Sequence, residues 1–228
     1  MEKVWTIVVA AGSSQRFGRA KQYELLGDSR IVDLSMATAK SASDGVVLVV
    51  PAADVAVEGG VAGGRSRSES VRNGLAAVPA DATIICVHDA ARPFADATLY
   101  ESVVAAVAAG ADCAVPGIAV VDTIKVVDQV GMVVSTPHRS TLRAVQTPQA
   151  FRSGVLRAAH NGGAEGTDDA ALVEALGGTV VVVVAGGDDN RKITFQEDLD
   201  WARSVISARE NDAKMSDVGA DAGRAGVA

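Results

Sequence analysis

The chain has 228 residues, 48% hydrophobic and only 4% aromatic, with a formal net charge of −7. That length suits one domain with a core of Val, Ala, Leu and Ile, and the acidic balance argues against a nucleic-acid binder, which shows a basic face. No apolar run approaches the roughly 18 residues of a membrane helix, and the start, Met1-Glu2-Lys3-Val4, lacks the pattern of a secretory leader.

The first predicted strand, Val4–Ala10, is apolar and β-branched. It runs into Ala10-Ala11-Gly12-Ser13-Ser14-Gln15-Arg16-Phe17-Gly18-Arg19-Ala20-Lys21. Small residues put little side chain between backbone N–H groups and a phosphate, and Arg16 and Lys21 supply positive charge. The dinucleotide pattern G-x-G-x-x-G is absent, and Gly18 is followed by Arg19-Ala20 rather than by the Lys-Ser/Thr of a P-loop. A helix over Ile31–Ala42 and a strand over Gly45–Val50 follow. A second small-residue loop, Ala62-Gly63-Gly64-Arg65-Ser66-Arg67, enters a helix over Ser66–Ala77, with Ser66 as N-cap and Glu69 three residues on.

The strand Thr83–Val87 leads into His88-Asp89-Ala90-Ala91-Arg92-Pro93. Ligands of open α/β sheets collect at the carboxyl ends of strands, which puts Asp89 and Arg92 there, either near a substrate or paired with each other in a turn. A carboxylate at that rim can hold a hydroxyl or help place Mg²⁺. Next come a helix over Asp96–Ala109, a strand over Ala111–Pro116, and a hairpin from Thr123–Val127 to Met132–Ser135. The stretch from Thr136 to Pro148 reads as irregular, and Leu142, Val145 and Phe151 are too sparse to bury themselves. This patterning suits either an arm, about 123–150, that packs on a second subunit, or an ordinary edge hairpin.

Helices over Ser153–Asn161 and Asp168–Leu176, a strand over Thr179–Ala185 and a helix over Phe195–Ala208 complete a domain spanning 1–210. Thr194 and Glu197 suggest a capping box for the last helix, and Gly177-Gly178 a stop for the one before. The tail, 211–228, is rich in Ala, Gly and Asp without periodicity and reads as disordered. Strands alternating with helices give an α/β fold, a doubly wound and mostly parallel sheet. Cys86 and Cys113 lack metal-ligand spacing and read as free thiols of a cytoplasmic protein.

Seven motifs stand in order: Ala10-Ala11-Gly12 with Arg16 and Lys21; Gly63-Gly64-x-x-Arg67-x-x-Ser70; His88-Asp89-Ala90-Ala91-Arg92-Pro93; Asp122-Thr123-Ile124-Lys125; Gln146-Thr147-Pro148-Gln149; Thr167-Asp168-Asp169-Ala170; Asn190-x-Lys192. Together they resemble the 2-C-methyl-D-erythritol 4-phosphate cytidylyltransferases of the non-mevalonate isoprenoid pathway, from about Val4 to Ala208. The resemblance implies a nucleotidyltransferase-like Rossmann fold, a homodimer clasped by the arm, and CMP transfer from CTP to methylerythritol phosphate with Mg²⁺. It implies Arg16, Lys21, Lys192 and Arg152 as catalytic cations, and Ala10, Ala11, Gly12, Gly64, Arg67 and Ser70 around CTP. Asp89, Arg92, Thr136 and Lys192 fall to the acceptor, with Thr136 reaching across the dimer and Asp89 the candidate metal ligand. Two departures stand out: an ungapped count puts Ser153 rather than Arg152 in the phosphate-holding slot, and Ala10 stands where many relatives have Pro. The nearest rival is a cytidylyltransferase for ribitol or another pentitol phosphate.

Overall fold

The computed structural model describes residues 2–12 and 17–209. Arg16 and the tail 211–228 lie outside the described residues. In chain order the elements are β1 (Val4–Val9), β2 (Leu25–Leu26), β3 (Ser29–Arg30), α1 (Ile31–Ser41), β4 (Gly45–Val50), α2 (Val55–Glu58), β5 (Val61–Ala62), α3 (Arg67–Ala77), β6 (Ile84–Asp89) and α4 (Ala97–Ala108). There follow β7 (Cys113–Ala119), β8 (Val126–Val127), β9 (Val133–Ser135), β10 (Arg143–Val145), β11 (Gln149–Arg152), α5 (Ser153–Ala159), α6 (Asp169–Glu174), β12 (Val181–Ala185) and a last helix over 196–209.

Eight strands form the main sheet. β5, β4, β1 and β6 lie side by side and parallel, with Val9 opposite both Val49 and Asp89. β12 pairs in parallel with β7 along Cys113–Gly117, so β10 and β11 share the other edge of β7, both antiparallel to it. β11 also runs antiparallel to β6. The sheet is thus parallel except for the β10–β11 segment, whose two halves meet at the cis peptide Thr147-Pro148.

The apolar strands are continuous because both faces are covered. Side chains alternate between faces. Ile7, Val49, Ile85 and Val87 pack under Val71 and Leu75 of α3, with Leu156 of α5 and Val173 of α6. Val8, Leu48, Val50 and Cys86 pack under Val32 of α1 and Tyr100 and Val103 of α4. A third cluster joins Leu26, Ile31 and Phe94 to Ile193, Leu199 and Ala202, tying the last helix to the rim of the sheet.

Helix starts follow their caps. Ser66, Asp96 and Asp168 each accept a backbone N–H three residues on. The last helix starts differently from expectation: Asp198 Oδ2 accepts from the N–H groups of both Thr194 and Phe195, so the acid of the box is Asp198 rather than Glu197. The stretch expected to be irregular also corrects the sequence reading. It contains β10, and directly after it β11 is a central strand, with Ala150 and Phe151 fully buried between β6 and β7.

Candidate active site

The crossovers determine where a crevice opens. β1 leads through α1 to β4, toward one edge of the sheet, whereas β6 leads through α4, on the same face, to β7, toward the other edge. Beyond the carboxyl ends of β1 and β6 the connections therefore diverge, which is where open α/β sheets bind ligands. A cavity of about 590 Å³ lies there, lined by Val9–Gly12, Phe17, Lys21, the Gly64–Arg67 loop, Ser70, Asp89–Ala91, Lys192 and Thr194.

One wall is made of two loops that both hang from the end of β4. Ala10 N–H donates to Val49 O and Gly63 N–H to Val50 O, both at 2.7 Å. A Cβ on Gly63 would come within 2.2 Å of the Ala11 Cβ, and one on Gly64 within 2.2 Å of Glu69 Cγ. These glycines let the chain approach closely, as their pattern suggested. Ser70 Oγ accepts from Gly64 N–H at 3.0 Å and donates to Ser66 O, fixing the loop to the first turn of α3. Glu69 Oε2 accepts from Arg65 N–H at 2.8 Å, so the reciprocal arm of this box reaches one residue before the N-cap.

The opposite wall is charged. Asp89, at the last position of β6, receives Lys192 Nζ on Oδ2 at 2.6 Å and Arg67 Nε on Oδ1 at 3.2 Å. Burial alone would push the Asp89 carboxyl up, but Arg67 and Lys192 outweigh it and hold the group well below the usual carboxylate range. Among the described residues lining the cavity, Asp89 is the one carboxylate.

Lys192 reaches Asp89 across 103 positions because the segment before the last helix is sewn onto the loop after β6. Ile193 N–H donates to Ala91 O at 2.8 Å, and Arg92 Nη1 donates to Asn190 O at 2.6 Å. Asn190 Nδ2 donates to Thr147 O. Arg92 N–H donates to Asp89 O at 3.0 Å and closes a turn, but the two side chains bond elsewhere, Asp89 to Lys192 and Arg67 and Arg92 to Asn190 O. Arg92 also lines an adjoining pocket of about 250 Å³ with Arg67, Asp89, Gln146, Thr147 and Lys192. His88 is fully buried beneath, its Nδ1 3.1 Å from Thr147 Oγ1, which also accepts from Asp89 N–H. Burial pushes the His88 ring down to about 4.

The structure thus brings Ala10, Ala11, Gly12, Lys21, Gly64, Arg67, Ser70, Asp89 and Lys192 to one cavity, with Arg92 next to it. It does not bring Arg152 there. Arg152 is opposite Ile84, at the start of β6, whereas the cavity lies beyond its end. Its Nε donates to Ala111 O and sits 3.6 Å from Asp112 Oδ1. Within one chain, then, Arg152 stands at the other end of the sheet from the cavity. Ser153, the alternative occupant of that slot, is also at that end, with its N–H bonded to Thr83 O. Thr136 is likewise remote, exposed beside β9 and accepting from Lys125 Nζ at 2.9 Å.

Asp169 has no role legible in the sequence, although it stands in the motif Thr167-Asp168-Asp169-Ala170. Asp169 is wholly buried, accepts Arg67 Nη1 on Oδ2 at 2.7 Å, and sits 2.9 Å from His160 Nε2 through Oδ1. Two adjacent acids at a helix start read as caps and surface charge; nothing local says that the second one turns inward.

Residues 4–208 match the model of the family described as IspD: 2-C-methyl-D-erythritol 4-phosphate cytidylyltransferase. A relative of that name from Syntrophotalea carbinolica is 40% identical over 226 residues, covering 89% of this chain and 96% of its own. One from Nocardia farcinica is 42% identical over 188 residues, 76% of this chain and 81% of that one. A bifunctional IspD/IspF enzyme of Oleidesulfovibrio alaskensis is 39% identical over 86% of this chain, which spans 56% of that relative's length. Among solved structures, 4-diphosphocytidyl-2C-methyl-D-erythritol synthase from Anaerococcus prevotii superimposes with a TM-score of 0.79 at 26% identity, covering 90% of this chain and 99% of that one. The Thermus thermophilus cytidylyltransferase gives 0.73 at 30% identity, covering 88% and 98%.

Proposed function

The chain belongs to the 2-C-methyl-D-erythritol 4-phosphate cytidylyltransferase family, and we infer from that premise that its cavity and charged rim hold the two reacting anions together. It transfers CMP from CTP to methylerythritol phosphate, giving CDP-methylerythritol and pyrophosphate. An acceptor phosphate oxygen attacks the α-phosphorus of CTP, the bond to the β-phosphate oxygen breaks, and pyrophosphate leaves with that electron pair. The nucleophile is already an anion, so no base is needed. The obstacle is charge, and catalysis is positioning and electrostatic stabilisation.

The single observation carrying this reading is the convergence of Lys21 and Lys192, from opposite parts of the chain, on one cavity at the sheet's carboxyl rim. Its glycine-lined wall takes the cytidine: Ala10, Ala11, Gly12, Gly64 and Ser70 offer backbone and small-residue contacts that a flat base can approach. Lys21 meets the triphosphate, as does Arg16 by the family resemblance, that residue lying outside the described ones. The Gly64–Arg67 loop also brings Arg65 and Arg67 to the cavity, Arg67 reaching Asp89. The adjoining pocket with Arg92 takes the acceptor, Asp89 accepting from its hydroxyls and Lys192 binding its phosphate. Thr136 and Arg152 belong to this scheme only through a second subunit.

A divalent cation fits this donor set in one way. No group of three His, Cys, Asp or Glu side chains that could hold a metal occurs among the described residues. Mg²⁺ keeps waters and binds through a carboxylate or two plus substrate phosphates. Asp89 is the residue to contribute, the CTP phosphates the rest, and the ion's role is to neutralise phosphate charge. Buried free thiols at Cys86 and Cys113 support a reducing, cytoplasmic setting. No helix of the described residues is long and apolar enough to cross a membrane.

The test is purified protein with CTP, Mg²⁺ and a panel of polyol phosphates, read by pyrophosphate release. Methylerythritol phosphate is expected to be preferred by a wide margin. Faster turnover with ribitol phosphate would overturn the acceptor assignment, and no release with any acceptor would overturn the reaction.

A further inference from the structure

Arg67 and Lys192 both neutralise Asp89, but they are held very differently. Lys192 approaches from a loop, its side chain 38% exposed, and pairs with Oδ2. Arg67 approaches on Oδ1 from the first turn of α3 and is itself gripped from behind by Asp169, which is 0% exposed. Asp169 stands at the first turn of α6, where Asp168 caps the helix, and its other oxygen faces His160 Nε2. The two helix starts are also tied by Gly166 N–H to Ser68 Oγ, Arg72 Nη1 to Ala164 O, and Ser66 Oγ to Glu165. Arg67 therefore cannot follow a ligand into the cavity without breaking a buried ion pair, whereas Lys192 moves by rotating an accessible side chain.

We propose that Asp169 is a positioning residue that locks Arg67 as the permanent counter-ion of Asp89, leaving Lys192 as the exchangeable one that passes to the incoming phosphate. This inference rests on the cytidylyltransferase reading and deepens it. An acceptor phosphate must draw Lys192 off Asp89. If Asp89 then stood alone in a buried place, Lys192 would stay with it and the acceptor would bind poorly. With Arg67 held in place, Asp89 remains paired and aimed at the acceptor hydroxyls after Lys192 has left. Arg67, its Nε and Nη1 committed to two carboxylates, contributes to the acceptor half of the site more than to the triphosphate.

The experiment compares wild type, Asp169→Asn, Arg67→Met and the double variant, with thermal melting for each and with kcat and KM measured separately for CTP and for the acceptor. Asp169→Asn keeps the shape and removes the charge. Its kcat/KM for the acceptor is expected to fall about 10-fold to 100-fold, the scale of a mispositioned site group. KM for CTP is expected to stay within about twofold of wild type, because uniform nucleotide binding is untouched. Because Asp169 acts through Arg67, the double variant is expected to be no worse than Arg67→Met alone. A folded Asp169→Asn with wild-type acceptor kinetics, a loss confined to KM for CTP, or a double variant losing the product of the two single losses overturns the proposal. Should Asp169→Asn fail to fold, Arg67→Met carries the test: an acceptor-specific loss supports the lock and a CTP-specific loss overturns it. A wild type that releases no pyrophosphate sinks the cytidylyltransferase reading and the lock with it. An active wild type with an equally active, folded Asp169→Asn sinks the lock alone.

Discussion

The residues that matter most here are charged groups whose neighbours were chosen by folding. Lys21 lines the cavity from a one-turn helix and Lys192 from the loop before the last helix. Replacing either with Ala is expected to lower kcat by roughly 10²–10³ while leaving the far-ultraviolet spectrum and melting temperature near wild type, since each supplies transition-state charge stabilisation rather than core packing. Near-normal turnover in Lys192→Ala would contradict its role at the phosphate. His88 makes a prediction of a different kind. Its ring, buried and pushed down to about 4 against an ordinary 6.5, resists the proton in the folded state while the unfolded chain accepts it. The unfolded state then binds more protons, so stability is fully present above pH 6.5, is lost as pH falls toward 4, and changes no further from this source below that. Asp89, held ionised, adds a loss at still lower pH. Equilibrium unfolding of His88→Gln across pH 4–7 is expected to show a flatter slope than wild type; an unchanged slope would remove His88 as its cause.

At the level of elements, the glycine wall is a packing device before it is a binding one. Gly63 sits where β5 leaves the sheet edge, bonded to the end of β4 and facing the Ala11 Cβ of the loop after β1. Gly63→Ala forces the two loops apart, because its Cβ would meet Ala11 rather than solvent. KM for CTP is expected to rise about tenfold, with a destabilisation of only about 1–3 kcal/mol, the usual range for overpacking. Isothermal titration of CTP against the variant checks the first, denaturant melts the second. Wild-type CTP affinity in Gly63→Ala would refute the view that the wall is shaped by loop contact. The last helix teaches a related lesson. Its apolar face was readable at helical spacing, but Thr194-x-x-Glu197 and Phe195-x-x-Asp198 are both plausible starts, and the choice falls to burial: Asp198 is buried and Leu199 and Ala202 enter the third core cluster. Which register wins depends on where the helix docks.

For the whole molecule, the conspicuous feature is the excursion between β7 and β11. β8 and β9 pair only with each other. Val127, Val130, Met132, Val133 and Val134 are all more than half exposed. Arg139 Nη1 donates to Val121 O, closing the base of the excursion within the chain. An apolar two-stranded ribbon standing free of a core is marginal in water. Burial against a second copy would stabilise it, and stable interfaces cover roughly 800 Å² per partner. We therefore propose the homodimer as the working unit, with Thr136 carried toward the partner's cavity. Val133→Asp is expected to shift sedimentation from dimer to monomer and to reduce turnover at least about tenfold, because a misplaced phosphate contact alone can cost that much. A fully active Val133→Asp monomer would eliminate the arm's role.

Much of this was legible in linear order. Continuous Val and Ile runs need two covered faces, so they announced a parallel sheet. Gly63-Gly64 and the Ala10–Gly12 turn announced close backbone approach. Asp89 and Lys192 announced themselves by position and company. Other features were settled by folding alone. The strand through Ala150 and Phe151 is invisible as a pattern because its neighbours β6 and β7 come from elsewhere in the chain and supply its burial. Arg152 stands at the far end of the sheet within one chain because an antiparallel strand carries it there. Asp169 carried no role in the sequence, and its place came when two helix starts met and turned it onto Arg67. Periodicity encodes which faces an element must bury, whereas electrostatic partnership depends on distances between segments about a hundred residues apart, and those exist only once the sheet order has been chosen.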